Sequence, residues 1–199
     1  MEQITSTSNP RIKDVLQLIG KSRCRRSRGL FAVEGNREIA ACLIGGFAPE
    51  AVYWCPQIID EDKLRNLFGA SCPDYVSISP NVYSKLACRG TTEGVVAVFR
   101  ERPRSLEDIK LEQDKAPFVI VLESVEKPGN LGAVLRTADA SAAAAVIVCD
   151  PQTDLYNPNV IRASLGGVFT LPVVACTSRQ AWEWLRESGF QILTAQLQD

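Results

Sequence analysis

The chain has 199 residues, 46% hydrophobic and 23% charged, with 22 Lys+Arg, 23 Asp+Glu and no histidine. That apolar content supports a folded core and excludes global disorder. The missing histidine excludes Ser-His-Asp hydrolysis, Cys-His proteolysis and histidine-ligated zinc within this chain. The net charge of −1 hides an asymmetry: residues 1–105 hold 15 Lys+Arg against 11 Asp+Glu, and residues 106–199 hold 7 against 12, so the two halves are expected to meet different partners.

In chain order, Ser8-Asn9-Pro10 predicts the start of a helix whose apolar face is Val15, Leu16, Leu18 and Ile19, with Gly20 as its stop. Lys21-Ser22-Arg23-Cys24-Arg25-Arg26-Ser27-Arg28 follows, five cations in eight residues. Leu30–Val33 reads as a buried strand, and Asn36 as the cap of a helix running to Gly45-Gly46. Ala51–Cys55 reads as a strand, Asp60–Phe68 as a helix with acids in its first turn, Tyr75–Ile78 as a strand, Pro80–Cys88 as a helix and Gly94–Phe99 as a β-branched strand. Strands alternating with helices of this length predict an α/β layer structure.

Arg100–Ala116 carries ten charges and little apolar periodicity, which predicts a linker with a short helical turn near Leu106–Ile109. The alternation then resumes. Phe118–Leu122 reads as a strand buried on both faces of a parallel sheet. Lys127-Pro128-Gly129-Asn130 reads as a turn, Leu131–Ala142 as a helix and Ala145–Cys149 as a strand. Pro151–Tyr156 reads as a loop, Pro158–Phe169 as a helix and Pro172–Ala175 as a strand. Ser178–Glu187 reads as a helix capped by Ser178, and Gln191–Ala195 as a fourth strand. Gly166-Gly167 inside a helical pattern predicts close packing or a bend, with a dimer contact as one candidate. The last strand would deliver the chain to the sheet edge where α/β proteins build ligand sites, with no loop after it. That pattern suggests a shortened protein; a complete but reduced domain is the alternative.

The seven cysteines, Cys24, Cys42, Cys55, Cys72, Cys88, Cys149 and Cys176, contain no Cys-x-x-Cys pair and are odd in number. They read as reduced core residues, neither a disulfide framework nor a zinc site, and point to the cytoplasm. No run approaches the ~18 apolar residues of a membrane span, and Met1–Ser6 lacks the features of a secretory signal.

The sharpest local signal is Glu123–Ala140: a strand end, a Gly/Asn turn and a helix of small residues. Such a helix start attracts anions, but the Gly-x-Gly-x-x-Gly fingerprint of a dinucleotide site is absent. Gly129-x-x-Gly132 alone is more often a tight turn with close helix packing. Arg136 in this helix needs a partner for its charge, and Glu123, Glu126 and Asp139 are candidates for a plain ion pair. The cationic run, as Lys21, Arg23, Arg25, Arg26 and Arg28, suits RNA phosphates, with a solvated loop as the alternative. Arg89 beside Gly90 is a weaker candidate of the same kind. Trp182, Leu185 and Phe190 are expected to pack on the sheet.

Asn130-Leu131-Gly132-Ala133-Val134-Leu135-Arg136-Thr137-Ala138-Asp139-Ala140 resembles the first motif of the SpoU/TrmH branch of the SPOUT RNA methyltransferases. Asn157–Val173 resembles the next segment of that family. Ser8–Lys13, Phe31–Gly35 and Thr91–Val98 resemble the ends of its N-terminal substrate-binding domain, with Thr92-Glu93 standing where Pro-Gln is usual. The resemblance implies a small α/β RNA-binding domain at 1–100, a linker at 101–116 and a Rossmann-like parallel-sheet SPOUT domain at 117–199, cut before its knot. It implies methyl transfer from S-adenosylmethionine to a ribose 2′-hydroxyl of rRNA or tRNA, with no metal, by a homodimer. It places Arg136 and Asn130 at the reacting ribose and leaves Thr194 and Ala195 as the remaining wall of a cofactor pocket whose later motifs are missing. A non-catalytic RNA-binding and dimerisation protein is the rival reading.

Overall fold

Asn9 opens the first helix: its side chain accepts a hydrogen bond from the Arg11 amide at 2.9 Å, and α1 spans Pro10–Gly20. The structure is a computed structural model and describes residues 3–69, 74–87, 93–111 and 116–195. Arg89, Cys72, Cys88 and the Thr91-Thr92 pair lie outside the described residues. The cationic run is neither a loop nor a uniformly open patch. It forms α2 (Ser22–Arg28), because Arg25, Arg26 and Arg28 in its last turn complement the helix dipole and Gly29 at φ 61° closes it.

β1 (Leu30–Glu34), α3 (Asn36–Ile44), β2 (Pro49–Trp54), α4 (Glu61–Phe68), β3 (Tyr75–Ser77), α5 (Pro80–Leu86) and β4 (Val95–Arg100) follow. Gly35, at φ 99°, occupies the cap position of α3, so Asn36 is its first residue and not its cap. The sheet order is β1-β4-β2-β3; β4 runs antiparallel to both β1 and β2, and β2 runs parallel to β3.

β5 (Val119–Glu123), α6 (Pro128–Ala140), β6 (Ala145–Cys149), α7 (Pro158–Ala163), α8 (Gly167–Thr170), β7 (Val173–Cys176) and α9 (Ser178–Glu187) form the second half. β5, β6 and β7 are parallel, in that order. Five expectations change here. β5 is an edge strand and not a doubly buried one, with Val121 41% exposed, whereas all five residues of β6 are buried. α6 already starts at Pro128. The stretch read as one helix from Pro158 breaks where Leu165 (φ 55°) and Gly166 (φ 85°) turn left-handed. Residues 191–195 form no strand; they run as coil beside β5. Thr177, through a capping box with Gln180, caps α9, which leaves Ser178 free for other contacts.

One core joins the two sheets. Phe31, Val33, Val95 and Phe99 of the first sheet pack with Leu131 and Leu135 of α6, Val160 and Ile161 of α7, Phe169 of α8 and Val146 of β6. A second cluster lies under α1 and α5, and a third between α9 and the other face of the second sheet. The expected linker is docked onto both halves. Its 3-10 turn (Leu106–Asp108) buries Leu106 and Ile109 in that third cluster. Arg102 donates to the Gly45 carbonyl at 3.1 Å, and Arg104 to the Leu171 carbonyl at 2.6 Å. The bend at Gly166 is an intrachain contact: a Cβ there would come within 2.6 Å of the Ala41 Cβ. Among the described residues, no helix is long and apolar enough to cross a membrane, and no group of three His, Cys, Asp or Glu side chains is placed to hold a metal.

Candidate functional site

The three parallel strands end together at Glu123, Cys149 and Cys176. Ser124 (φ 50°) and Asp150 (φ 46°) follow the first two, both in the left-handed region that non-glycine residues rarely adopt. They are held there by the ladder: the Ser124 amide donates to the Cys149 carbonyl at 2.9 Å, and the Asp150 amide to the Cys176 carbonyl at 2.8 Å. Backbone strain of this kind gathers at functional edges. Ser178 ties the edge together. Its Oγ donates to Asp150 Oδ2 at 2.6 Å and lies 2.9 Å from Glu123 Oε1, while its amide donates to the same Asp150 oxygen at 3.0 Å. These bonds hold the Asp150 carboxyl below its usual range.

α6 rises from this edge. Its cap residue, Lys127, contributes no side-chain hydrogen bond, and Gly129 and Asn130 in its first turn are exposed, so the helix start faces solvent. Leu131, Leu135 and Ala138 are buried and turn the opposite face inward. Arg136 is exposed, and among the described residues neither Glu123, Glu126, Asp139 nor any other group pairs with its guanidinium. Asp139 instead accepts from Thr170 Oγ1 at 3.0 Å. The simple ion-pair reading of Arg136 therefore fails. Asn130 and Arg136 sit about 9 Å apart along the axis and about 120° apart around it, two polar groups on one solvent-facing surface. α6 can approach α7 because residue 132 is glycine: a Cβ there would lie 2.5 Å from the Ala163 Cβ and 2.9 Å from the Val160 carbonyl oxygen.

Thr194 and Ala195 are exposed and line a groove of about 750 Å³ between β5, α9 and the 190–195 coil. Trp182 faces this groove and is 53% exposed, so it does not pack fully on the sheet as expected, whereas Leu185 is buried and Phe190 stacks on Trp184.

Of the expected RNA-binding cations, Lys21, Arg23, Arg26 and Arg28 are exposed; Arg28 lies 3.8 Å from Asp14. Arg25 does not belong to that surface. It is 2% exposed and bound to Asp154, because the helical phase of α2 turns Ser22 and Arg25 inward together. Asp154 was not singled out by the sequence; its Asx turn with the Tyr156 amide was the only local signal. The five described cysteines are free, with Cys42, Cys55 and Cys149 buried; burial and the neighbouring Cys176 push the Cys149 thiol up to about 11.

Residues 117–199 match the model of the SpoU rRNA Methylase family, and residues 9–97 match an MRM3-like substrate binding domain. A solved RNA 2′-O ribose methyltransferase is 36% identical, with a TM-score of 0.77 over 94% of this chain and 70% of its own. The chain belongs to the SpoU rRNA methylase family. An AdoMet-bound rRNA methyltransferase from Sinorhizobium meliloti superposes with a TM-score of 0.82 at 27% identity, covering 96% of this chain and 70% of that one. A 23S rRNA (guanosine-2′-O)-methyltransferase of Bacillus subtilis is 26% identical over 100% of this chain and 75% of its own length. The chain spans 75% of the length of that Bacillus protein and 36% of that of the rRNA methyltransferase 3A, mitochondrial, of Danio rerio. By family, the reaction is transfer of a methyl group from S-adenosylmethionine to a ribose 2′-hydroxyl of rRNA. None of these relatives favours the non-catalytic alternative.

Proposed function

We propose that this protein methylates a ribose 2′-hydroxyl in a structured rRNA, with Arg136 at the reacting ribose and α2 as an RNA-holding surface. The observation that carries this reading is an exposed arginine without a partner among the described residues, on a helix whose opposite face is core, in the segment matched to the methylase family. The 1–100 and 117–199 regions are read as RNA-binding and methyltransferase domains, with 101–116 between them; the family matches to 9–97 and 117–199 support that division. A homodimer in the cytoplasm, with its thiols reduced, is the setting this reading carries.

S-adenosylmethionine, when bound, supplies an electrophilic methyl on a sulfonium. Thr194 and Ala195 fit one wall of a site for it, giving a hydroxyl and a methyl at the rim of a groove whose floor includes the apolar side of β5. The guanidinium of Arg136 is a donor and not a proton acceptor. Its planar fork suits an adjacent phosphate and the charge that develops on the ribose oxygen as its proton passes to solvent water. The Asn130 amide both donates and accepts, which suits orienting a ribose. Exposed Lys21, Arg23, Arg26 and Arg28 track phosphates, and Arg89 is read as an addition to them.

Mass spectrometry of rRNA nucleosides tests this reading in cells carrying the intact gene, a deletion or Arg136→Ala. One 2′-O-methyl mark should disappear in the latter two. An unchanged set of marks in the deletion would refute the assignment.

A further inference from the structure

The arginines of α2 are not equivalent. Arg25 Nε donates to Asp154 Oδ2 at 2.5 Å, and its Nη1 donates to the carbonyls of Leu18 at 2.6 Å and Ile19 at 3.1 Å. Asp154 belongs to the loop between β6 and α7; its side chain is 7% exposed, and its other oxygen accepts from the Tyr156 amide at 2.9 Å. Two residues on, the Tyr156 ring stacks on Phe31 of β1 at 4.3 Å and 9°. The same loop ends at Asn157, which caps α7 by accepting from the Asn159 amide. α7 in turn meets α6 at the Gly132–Ala163 contact, one helical turn before Arg136. A continuous chain of packed groups therefore runs from the cationic helix to the exposed arginine.

We propose that Arg25 and Asp154 are positioning residues for the methyl transfer: their buried pair sets the register between the RNA-holding face of α2 and the face of α6 that carries Arg136. This rests on the function proposed above. A buried ion pair is a poor device for stability, since apolar replacements of both partners are often neutral or stabilising. What it does supply is direction. Three acceptors meet one planar fork, so α2 has one orientation against the loop, whereas apolar contact in the surrounding core is non-directional.

The test pairs two variants of the protein as the cell makes it: Arg25→Met with Asp154→Leu, which removes the pair, and Arg25→Lys, which keeps the charge without the fork. Thermal melts establish that each is folded. RNA affinity and its salt slope should stay at the wild-type values, because Arg23, Arg26 and Arg28 remain exposed. The single-turnover methylation rate should fall by on the order of 10- to 10²-fold, and methyl groups should appear on riboses flanking the natural one. A purely structural role predicts a rate that follows the folded fraction, with product at one ribose; that result in either folded variant overturns the proposal. Spectroscopic labels at Ser27 and Thr137 give a readout without activity. Their distance distribution should broaden when the pair is removed, and an unchanged narrow distribution also overturns the proposal. Absence of methylation by the wild-type protein would count against the functional reading alone.

Discussion

Arg25 and Arg26 are neighbours of the same type, yet one is buried against Asp154 and the other is exposed. Sequence makes the charge density of this run legible but not its helical phase, which depends on how α2 lies against α1 and β1. Asp150 shows another residue-scale effect. Its carboxyl is held down first by the Ser178 hydroxyl and then by the Ser178 amide. A depressed folded value contributes stability that is present above the unfolded value near 3.8 and is lost as pH falls through the lower folded one. Ser178→Ala should therefore raise the Asp150 midpoint and remove part of that acid-side stability. Carboxyl carbon NMR titration reads the midpoint directly; one unchanged by the substitution would contradict the role given to Ser178. The surface position of Asn130 and Arg136 was partly legible, because Leu131, Leu135 and Ala138 mark the inward face. That no carboxylate of the described residues reaches Arg136 was not, since Asp139 is drawn to Thr170, 31 residues away.

At the scale of elements, α6 and α7 are brought together by the absence of one side chain. A Cβ on residue 132 would meet backbone atoms of Val160 and Ala163 at 2.9 and 3.0 Å, and backbone cannot rotate away. Gly132→Ala should force the helices apart and cost about 1–3 kcal/mol of stability, despite the better helix propensity of alanine. Chemical denaturation measures it; a variant as stable as wild type would show that α7 gives way easily. Strand and helix identities were legible from periodicity, from Phe118–Leu122 and Ala145–Cys149 to Asp60–Phe68. Sheet position was not. An apolar run reads alike in a central strand and in the exposed edge strand β5, because the pattern records composition and not neighbours. Gln191–Ala195 has strand-forming residues but pairs with no strand among the described residues, and pairing is what makes a strand. The break at Leu165-Gly166 was anticipated as a glycine effect, but the Ala41 side chain of α3 that a Cβ on residue 166 would meet lies more than 100 residues away in sequence.

At the scale of the molecule, the basic first half and the acidic second half share one core and are strapped by Arg102, Arg104 and the Arg25–Asp154 pair. The charge reversal near residue 105 falls between the last strand of the first sheet and the first strand of the second, and the charged segment there is docked on both halves. The proposed function gives the holding of RNA to the first half and the reaction to the second, across one shared core. The most direct measurement is single-turnover methylation of the cognate RNA together with RNA affinity, for Arg136→Ala and for a variant with Arg23, Arg26 and Arg28 replaced by Ala. Arg136→Ala should lose on the order of 10²-fold or more in rate, as for removal of one oxyanion donor, with little change in affinity. The triple variant should bind more weakly with a flatter salt dependence and, at saturating RNA, react at close to the wild-type rate. A folded Arg136→Ala protein that methylates at the wild-type rate would contradict the account.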